Sequence, residues 1–415
     1  MDEVVLTKLE EKKGILALAL MIFFIIKPEF FSNAGGQYVK YMMTVFQLLV
    51  YAYILFVWIR NRRTSSFLIL TALMYGLIIL STILNGGSLT EAIKLGAVNI
   101  ILIMLLENEI DRIDYLMKAF IICLSILVVA NFIAILLFPD GLYMGTYTYN
   151  GKVLPGQMSW ILSVNNGMGK YFLYLLFFKA EYDLKKYDRI RPSFYFLSLI
   201  CISSVIITGS LTSVLGVGVM VVMIAMSQLI NKMKPGIYNI YLFLGVIVIF
   251  HVLFVVLQNV GIFSGFVTNV LGDSLTFSGR TSIWTAVLKR IPLKPVLGFG
   301  FISQSDFRYF TGMPVASDSH NYLLHLTAFG GLVTALLFVV IIIMASRTIR
   351  SRQFDYSGIT LTAFMFTFFL IMLFENTTNK LYWTIFAYAF YLNYKPQDTD
   401  PALGARDILG WSIYV

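Results

Sequence analysis

Apolar residues come in blocks along this chain. Runs of roughly 17–25 of them, the length a helix needs to cross a bilayer, alternate with short stretches rich in charge, Gly or Asn. The pattern predicts twelve spans, at 14–32, 41–59, 66–84, 93–107, 115–138, 160–178, 193–209, 211–230, 237–258, 321–344, 358–374 and 381–394. The fourth and the twelfth are short, so the same pattern also admits eleven or thirteen. The first run has no small-residue cleavage site after it and continues into "KPEFF", which reads as a retained span rather than a removed signal peptide.

Composition changes the picture only by confirming the solvent. Hydrophobic residues are 58% of 415, charged residues 13%, and the mean hydropathy is +0.80. A soluble domain carries about 25% charged residues. The fold class expected is therefore an all-α polytopic membrane protein with about 12 transmembrane helices. Cys123 and Cys201 lie inside apolar runs, too isolated for a disulfide framework or a metal site.

Charge placement adds a topology. With the N-terminus in the cytoplasm, twenty of the 31 basic residues fall on inner segments, among them "RNRR" at 60–63, five within 179–191 and "RTIRSR" at 347–352. This is the positive-inside pattern, and it puts both termini in the cytoplasm. The net charge of +9 thus reflects membrane orientation, not a nucleic-acid partner. The organisation expected is a membrane domain over 1–258 (spans one to nine), a large extracytoplasmic loop over 259–319, spans ten to twelve over 320–394, and a cytoplasmic tail over 395–415. No internal repeat is visible, which weakens an inverted-repeat transporter reading.

The large loop runs against the charge rule. It carries Arg280, Lys289, Arg290, Lys294 and Arg308 against only Asp273, Asp306 and Asp318, which suits an anionic ligand on the outer face. Ser278 is a good helix N-cap, and Ile283, Trp284, Val287, Leu288 and Ile291 then define an amphipathic helix near 279–291, stopped by Pro292. Its expected place is the membrane surface, with Trp284 in the interface. Arg280 sits in the first turn, where a cation is disfavoured unless an anion is also present. It is either a phosphate or carboxylate clamp, or a solvated arginine bound to water or lipid headgroups. A second outer segment, 139–160, is aromatic and holds Lys152 with Tyr147, Tyr149 and Trp160.

Two of three histidines lie in "DSHNYLLHLTAFGG", residues 318–331. His320 and His325 are five apart, which turns them away from a shared metal ion. His325 falls inside the span, where a helix-to-helix hydrogen bond is its expected role. His320 heads the span at the outer boundary beside Asp318 and Asn321. It is open there to proton transfer or to a structural role. Other polar residues gather at the same face: Asn165, Asn166 and Lys170 at the sixth span, and Glu375 and Asn376 at the end of the eleventh. Glu375 could equally pair with Lys380.

"SGR…W" in the loop, "GFG" about twenty residues later and "SHNYLLHLTAFGG" into the next span resemble the O-antigen polymerase and ligase superfamily. The resemblance is specific over 273–335; "NNGMG" at 165–169 and "KPEFF" extend it. It implies a GT-C-like, metal-independent, inverting glycosyltransferase without cofactor, in the bacterial inner (plasma) membrane. Its donor and acceptor would be glycans on undecaprenyl diphosphate, among membrane lipids, with a chain-length regulator and a flippase as further partners. Arg280 matches the loop arginine and His320 the histidine before the following span.

On this resemblance the function expected is repeat-unit polymerisation of O-antigen, capsule or exopolysaccharide. Arg280 would neutralise the diphosphate and His320 would orient or deprotonate the acceptor. Asn165, Asn166, Asn321 and Glu375 would position sugars, with Glu375 the reserve base. The sequence departs from the pattern at Ser210-Leu211, where relatives often have Ser-Arg. A second cation must then come from Lys170, Arg290, Arg308 or Lys152. The rivals are a ligase of the same superfamily and, from another class, a lipid-linked repeat-unit flippase.

Overall fold

A computed structural model describes residues 3–230, 238–258, 279–376, 380–393 and 412–414. The described chain is mostly helical. Among the described residues, six helices are each long and apolar enough to cross a membrane: Gly36–Asn61, Ser66–Leu84, Leu89–Asn108, Ile110–Leu137, Leu211–Gln228 and Tyr322–Ser351. Three shorter apolar helices, Pro192–Ile207, Ile240–Val256 and Tyr356–Met372, lie among them. The protein is thus a helical membrane protein, and described helix overlaps each stretch expected to span.

The boundaries differ where backbone chemistry overrides hydropathy. The first expected span, 14–32, is two helices, α1 (Glu3–Ile26) and α2 (Glu29–Asn33). Lys27 takes a left-handed φ of 44° and Pro28 follows it, which ends the ladder of helical hydrogen bonds. The sixth span starts at Asn165, not 160. Residues 160–164 form a bend instead, and the carbonyls of Ile161 and Leu162 accept from Phe30 and Glu29 N–H.

Besides the short strand β1 (Arg63–Ser65), which lies among α3 (Gly36–Asn61), α4 (Ser66–Leu84), α5 (Leu89–Asn108) and α6 (Ile113–Leu137), a second feature departs from the all-α expectation. Strands β2 (Tyr143–Tyr149) and β3 (Lys152–Ser159) form an antiparallel hairpin. Its turn is Asn150-Gly151, both at positive φ (48° and 75°), the backbone that a tight hairpin requires.

Helices α7 (Asn165–Tyr187), α8 (Pro192–Ile207), α9 (Leu211–Ile230) and α10 (Ile240–Phe250) follow. Beyond them lie α11 (Arg280–Arg290), α12 (Gln304–Thr311), α13 (Tyr322–Ser351), α14 (Tyr356–Met372), α15 (Lys380–Tyr391) and a short strand β4 (Ser412–Tyr414) that pairs in parallel with β1.

The core is aromatic and runs along α7, α14 and α15. Tyr174 packs on Phe364 and Phe368, and Phe368 stacks on Tyr382 with ring centroids 4.5 Å apart. Helices α7 and α14 are antiparallel: Tyr174 meets Phe368, whereas Glu181, two turns on, accepts hydrogen bonds from Ser357 and Thr360 at the start of α14. Two buried carboxylates anchor α15 at that end. Tyr388 donates to Glu181 at 2.7 Å and Tyr391 to Glu107 at 2.8 Å. Glu107 also accepts from Trp58 Nε1 at 2.7 Å and Ser65 N–H at 3.1 Å.

The other end is organised by a break in α13. Gly331 has φ 70° and ψ −171°, a backbone open essentially to glycine alone. The break exposes carbonyls and N–H groups of the helix, and the loop segment 295–301 fills them. Phe299 N–H donates to Ala328 O and Gly300 N–H to Phe329 O, both at 2.8 Å, while Leu332 N–H returns a bond to Pro295 O. A Cβ at Gly331 would lie 2.0 Å from Val296 O, and one at Gly298 2.6 Å from Ala328 O. The "GFG" and "FGG" stretches are therefore two halves of one joint. Thr82 Oγ1 accepts from Phe301 N–H at 2.8 Å and ties that joint to α4.

Gly331→Ala should lower stability by about 3 kcal/mol or more, since the clash is with the Val296–Leu297 backbone and the φ itself is strained. Thermal unfolding in detergent should show a midpoint several degrees below wild type. Gly245→Ala, where a Cβ meets nothing within 4 Å, should unfold near wild type.

Candidate functional site

The turn that enters α13 is built by its own short polar side chains. Asp318 Oδ1 accepts the His320 N–H at 2.6 Å, and Ser319 Oγ donates to Asn321 O at 2.7 Å. These bonds hold His320 at φ 47°, a left-handed conformation unusual for a residue with a β-carbon. Asn321 then caps the helix, its Oδ1 accepting from Leu324 N–H at 2.9 Å. Its Nδ2 donates to Leu373 O at 3.1 Å and lies 3.5 Å from His251 Nδ1. Asn321 thus pins the start of α13 to the end of α14.

That link brings the chemistry together. Glu375, two residues past Leu373, receives Arg280 Nη2 on Oε1 at 2.6 Å. Its Oε2 faces His320 Nδ1 at 3.5 Å, and Asp318 Oδ1 stands 3.8 Å from the same nitrogen. The side chains of Arg280, Glu375 and His320 are only 11%, 14% and 20% exposed, so the group is shielded but reachable. Of the Glu375 alternatives, the described partners are Arg280 and His320; the Lys380 side chain lies outside the described residues.

Burial of the His320 ring disfavours its charged form. The carboxylates of Asp318 and Glu375 favour it and outweigh both burial and the repulsion from Arg280, so its pKa is raised above the ordinary 6.5. His320 is therefore cationic in mildly acidic conditions and becomes neutral only above that raised value. The ion pairing it contributes to the fold is fully present below 6.5 and is lost as pH rises through the folded-state pKa.

Helix α11 delivers Arg280. Ile283, Trp284 and Val287 are buried, as the amphipathic spacing requires, but not in a membrane interface. Trp284 is fully buried and its ring lies 6.4 Å from Phe374, so the apolar face packs on the protein beside Glu375. The residue preceding the helix is Gly279 at φ 85°; the expected cap, Ser278, lies outside the described residues, as does Asp273. The helix ends at Arg290, and Pro292 sits in the tighter turn that follows.

The other expected residues fall into separate groups. Asn166 Oδ1 accepts from Ser210 Oγ at 2.8 Å, and Asn165 Oδ1 from Asn166 N–H, at the start of α7. Lys170, one turn on, lies 5.9 Å from the Tyr171 ring centroid. This group neighbours α9, whose Gly216 abuts Ile371 on α14, four residues before Glu375. Arg308 is buried and turned inward, donating to Pro314 O and Gln304 O and covering the Tyr147 ring at 4.0 Å. Tyr149 stacks on Tyr309, so the hairpin clasps α12. Arg290 is exposed and lies over Phe310, and Lys152 is exposed beside the hairpin turn.

Trp160 is buried and donates to Phe138 O, which leaves its ring no open face toward a ligand. His325 makes an inter-segment contact, 3.2 Å from Asn376 Nδ2. Among the described residues no group of three or more His, Cys, Asp or Glu has the geometry to hold a metal ion.

Sequence reading missed three features here. The hairpin was signalled by Asn-Gly between alternating residues. The turn closed by Asp318, already placed beside His320, was signalled by an Asp two residues before that histidine. His251, isolated in an apolar run, gave no signal of its place beside Asn321.

Residues 196–339, from within α8 to beyond the break in α13, match the family model described as O-antigen ligase. Over that stretch the chain is similar to the O-antigen ligase domain. This supports the O-antigen polymerase/ligase superfamily, whose members are glycosyl-transferring enzymes acting on lipid-linked glycans in membranes. The matched stretch covers about a third of the chain and contains Arg280, His320 and Asn321, while Glu375 and the α7 residues lie outside it. No curated protein and no solved structure matches the chain significantly.

Glu375→Gln removes one of the two carboxylates that favour the His320 imidazolium. Histidine-selective NMR of the purified protein should show its midpoint moving down. A midpoint unchanged or moved up would contradict this electrostatic picture.

Proposed function

We propose that the protein polymerises oligosaccharide repeat units carried on undecaprenyl diphosphate, by metal-independent inverting glycosyl transfer at the outer face of the membrane. The observation that carries this reading is the shared carboxylate: Glu375 contacts both Arg280 and His320. A cation for a diphosphate and a base for a hydroxyl thereby stand on either side of one anion. The family match adds the substrate class.

In this reading the acceptor hydroxyl attacks the anomeric carbon from the face opposite the diphosphate. The new C–O bond forms as the bond to the diphosphate oxygen breaks, and the hydroxyl proton passes to the His320 imidazole. Glu375 and Asp318 stabilise the imidazolium so formed, much as a carboxylate supports the histidine of a hydrolase triad. Arg280 offsets the charge on the departing diphosphate. Glu375 becomes a positioning residue for His320 rather than a reserve base.

Lys170, half-buried and on the α7 end that neighbours α14, is the second cation we favour. The donors of Arg308 that are described go to Pro314 O and Gln304 O. Asn165, Asn166 and Asn321 would position sugars and the turn that holds His320. Both termini would be cytoplasmic, and a flippase and a chain-length regulator would act before and alongside the enzyme.

The ligase reading is kept because the matching model is described by that name. It uses the same chemistry on a different acceptor. Incubation with a lipid-linked repeat unit alone separates the two: a ladder of increasing length indicates polymerase, and product formed only when a second lipid acceptor is added indicates ligase.

With the repeat unit supplied, Arg280→Ala should lose about a hundredfold to a thousandfold in rate, and His320→Ala about a hundredfold to ten-thousandfold. The wild-type rate should rise with pH through the raised His320 pKa. Long polysaccharide made at normal rate by both variants, at normal protein level, would refute the mechanism.

A further inference from the structure

A cavity of about 370 Å³ opens between α1, α6 and α7, at the end of the bundle away from Arg280 and His320. The distance follows from α14, which starts beside Glu181 and runs 17 residues, about 25 Å at 1.5 Å per residue, before reaching the Glu375 end. Lys179, on the rim of the cavity, is two residues from Glu181 on α7.

The lining has two chemistries. Ile15 and Leu16 of α1 and Ile121 and Ile122 of α6 form an apolar furrow. Leu16 is 66% and Ile122 40% exposed, so the furrow opens sideways, where the surroundings of a spanning helix are lipid. Lys12, Lys118 and Lys179 stand at its edge with Tyr182.

Two of these lysines are held in place by acids: Lys118 by Glu11 at 2.7 Å and Lys179 by Asp183. Lys186 donates to Tyr182 Oη at 3.0 Å. The lining and its polar partners thus carry four lysines (Lys12, Lys118, Lys179, Lys186) against two acids (Glu11, Asp183), a surplus of positive charge. An ammonium has three donors, so each acid-anchored lysine keeps donors for a second anion.

We propose that this cavity binds an anionic phospholipid of the cytoplasmic leaflet, its phosphate among Lys12, Lys118 and Lys179 and an acyl chain along Ile15, Leu16, Ile121 and Ile122. The site is independent of the glycosyl-transfer reading. A lipid seated there braces α1 against α6 and α7, helices also joined at this end by the Lys118–Glu11 and Lys185–Asp114 pairs.

The test uses the full chain in phosphatidylcholine nanodiscs with phosphatidylglycerol titrated in. Native mass spectrometry reads lipid retained after gentle detergent release. Wild type should keep phosphatidylglycerol in preference to phosphatidylcholine. Lys12→Gln, at an exposed position that leaves both ion pairs intact, should weaken that preference about fivefold, the effect of one basic residue near an anionic surface. Ile122→Trp, which fills the furrow and changes no charge, should abolish it. The proposal is overturned if wild type shows no preference, or if both variants keep it in full.

Discussion

The backbone break at Gly331 is the constraint on which the outer end of the molecule depends. A continuous helix satisfies its own carbonyls and N–H groups and offers nothing to a loop. Interrupted there, α13 accepts from Phe299 and Gly300 N–H and donates to Pro295 O. The segment that follows α11 is thereby docked as if it were part of a sheet, inside a helical protein. Only glycine tolerates both the ψ of −171° at positive φ and the Val296 carbonyl against its α-carbon. The short helical piece before the break carries His320 and Asn321 at its head, so the joint that seats the loop also sets where the histidine stands.

A second consequence is electrostatic. Three charged groups and one histidine share a partly shielded space, and they do so in a fixed order, Arg280 to Glu375 to His320 with Asp318 behind. Shielding alone would keep the imidazole neutral at low pH. Two carboxylates reverse that outcome, and Arg280 moderates it. At the opposite end, Glu107 and Glu181 are held by hydroxyls and an indole, while buried Asp183 pairs with Lys179. Glu107 and Glu181 each receive a tyrosine from α15, which makes that helix a fastener.

The hairpin and the loop show how secondary elements join these parts. Arg308, drawn inward by two carbonyls, offers its flat face to Tyr147, and Tyr149 meets Tyr309 beside it. A guanidinium over an aromatic ring retains attraction even when its donors are used elsewhere. The charge that sequence reading assigned to a ligand thus has a described role in tying the hairpin to α12.

Hydropathy by itself determined the helical membrane class and the position of nearly every helix described, because burial of apolar length is a property of consecutive residues. Short-range chemistry was legible too: the amphipathic face of α11, the separation of His320 from His325, and the motifs that pointed to the superfamily. The breaks at Lys27 and Gly331 were not legible as breaks, since hydropathy cannot see φ. The partnership of Arg280 with Glu375, 95 positions apart, and the seating of Trp284 on protein rather than lipid were decided only by tertiary structure. Side chains so distant along the chain meet only once the helices between them have packed, and no local pattern encodes which face of α14 will end beside α11.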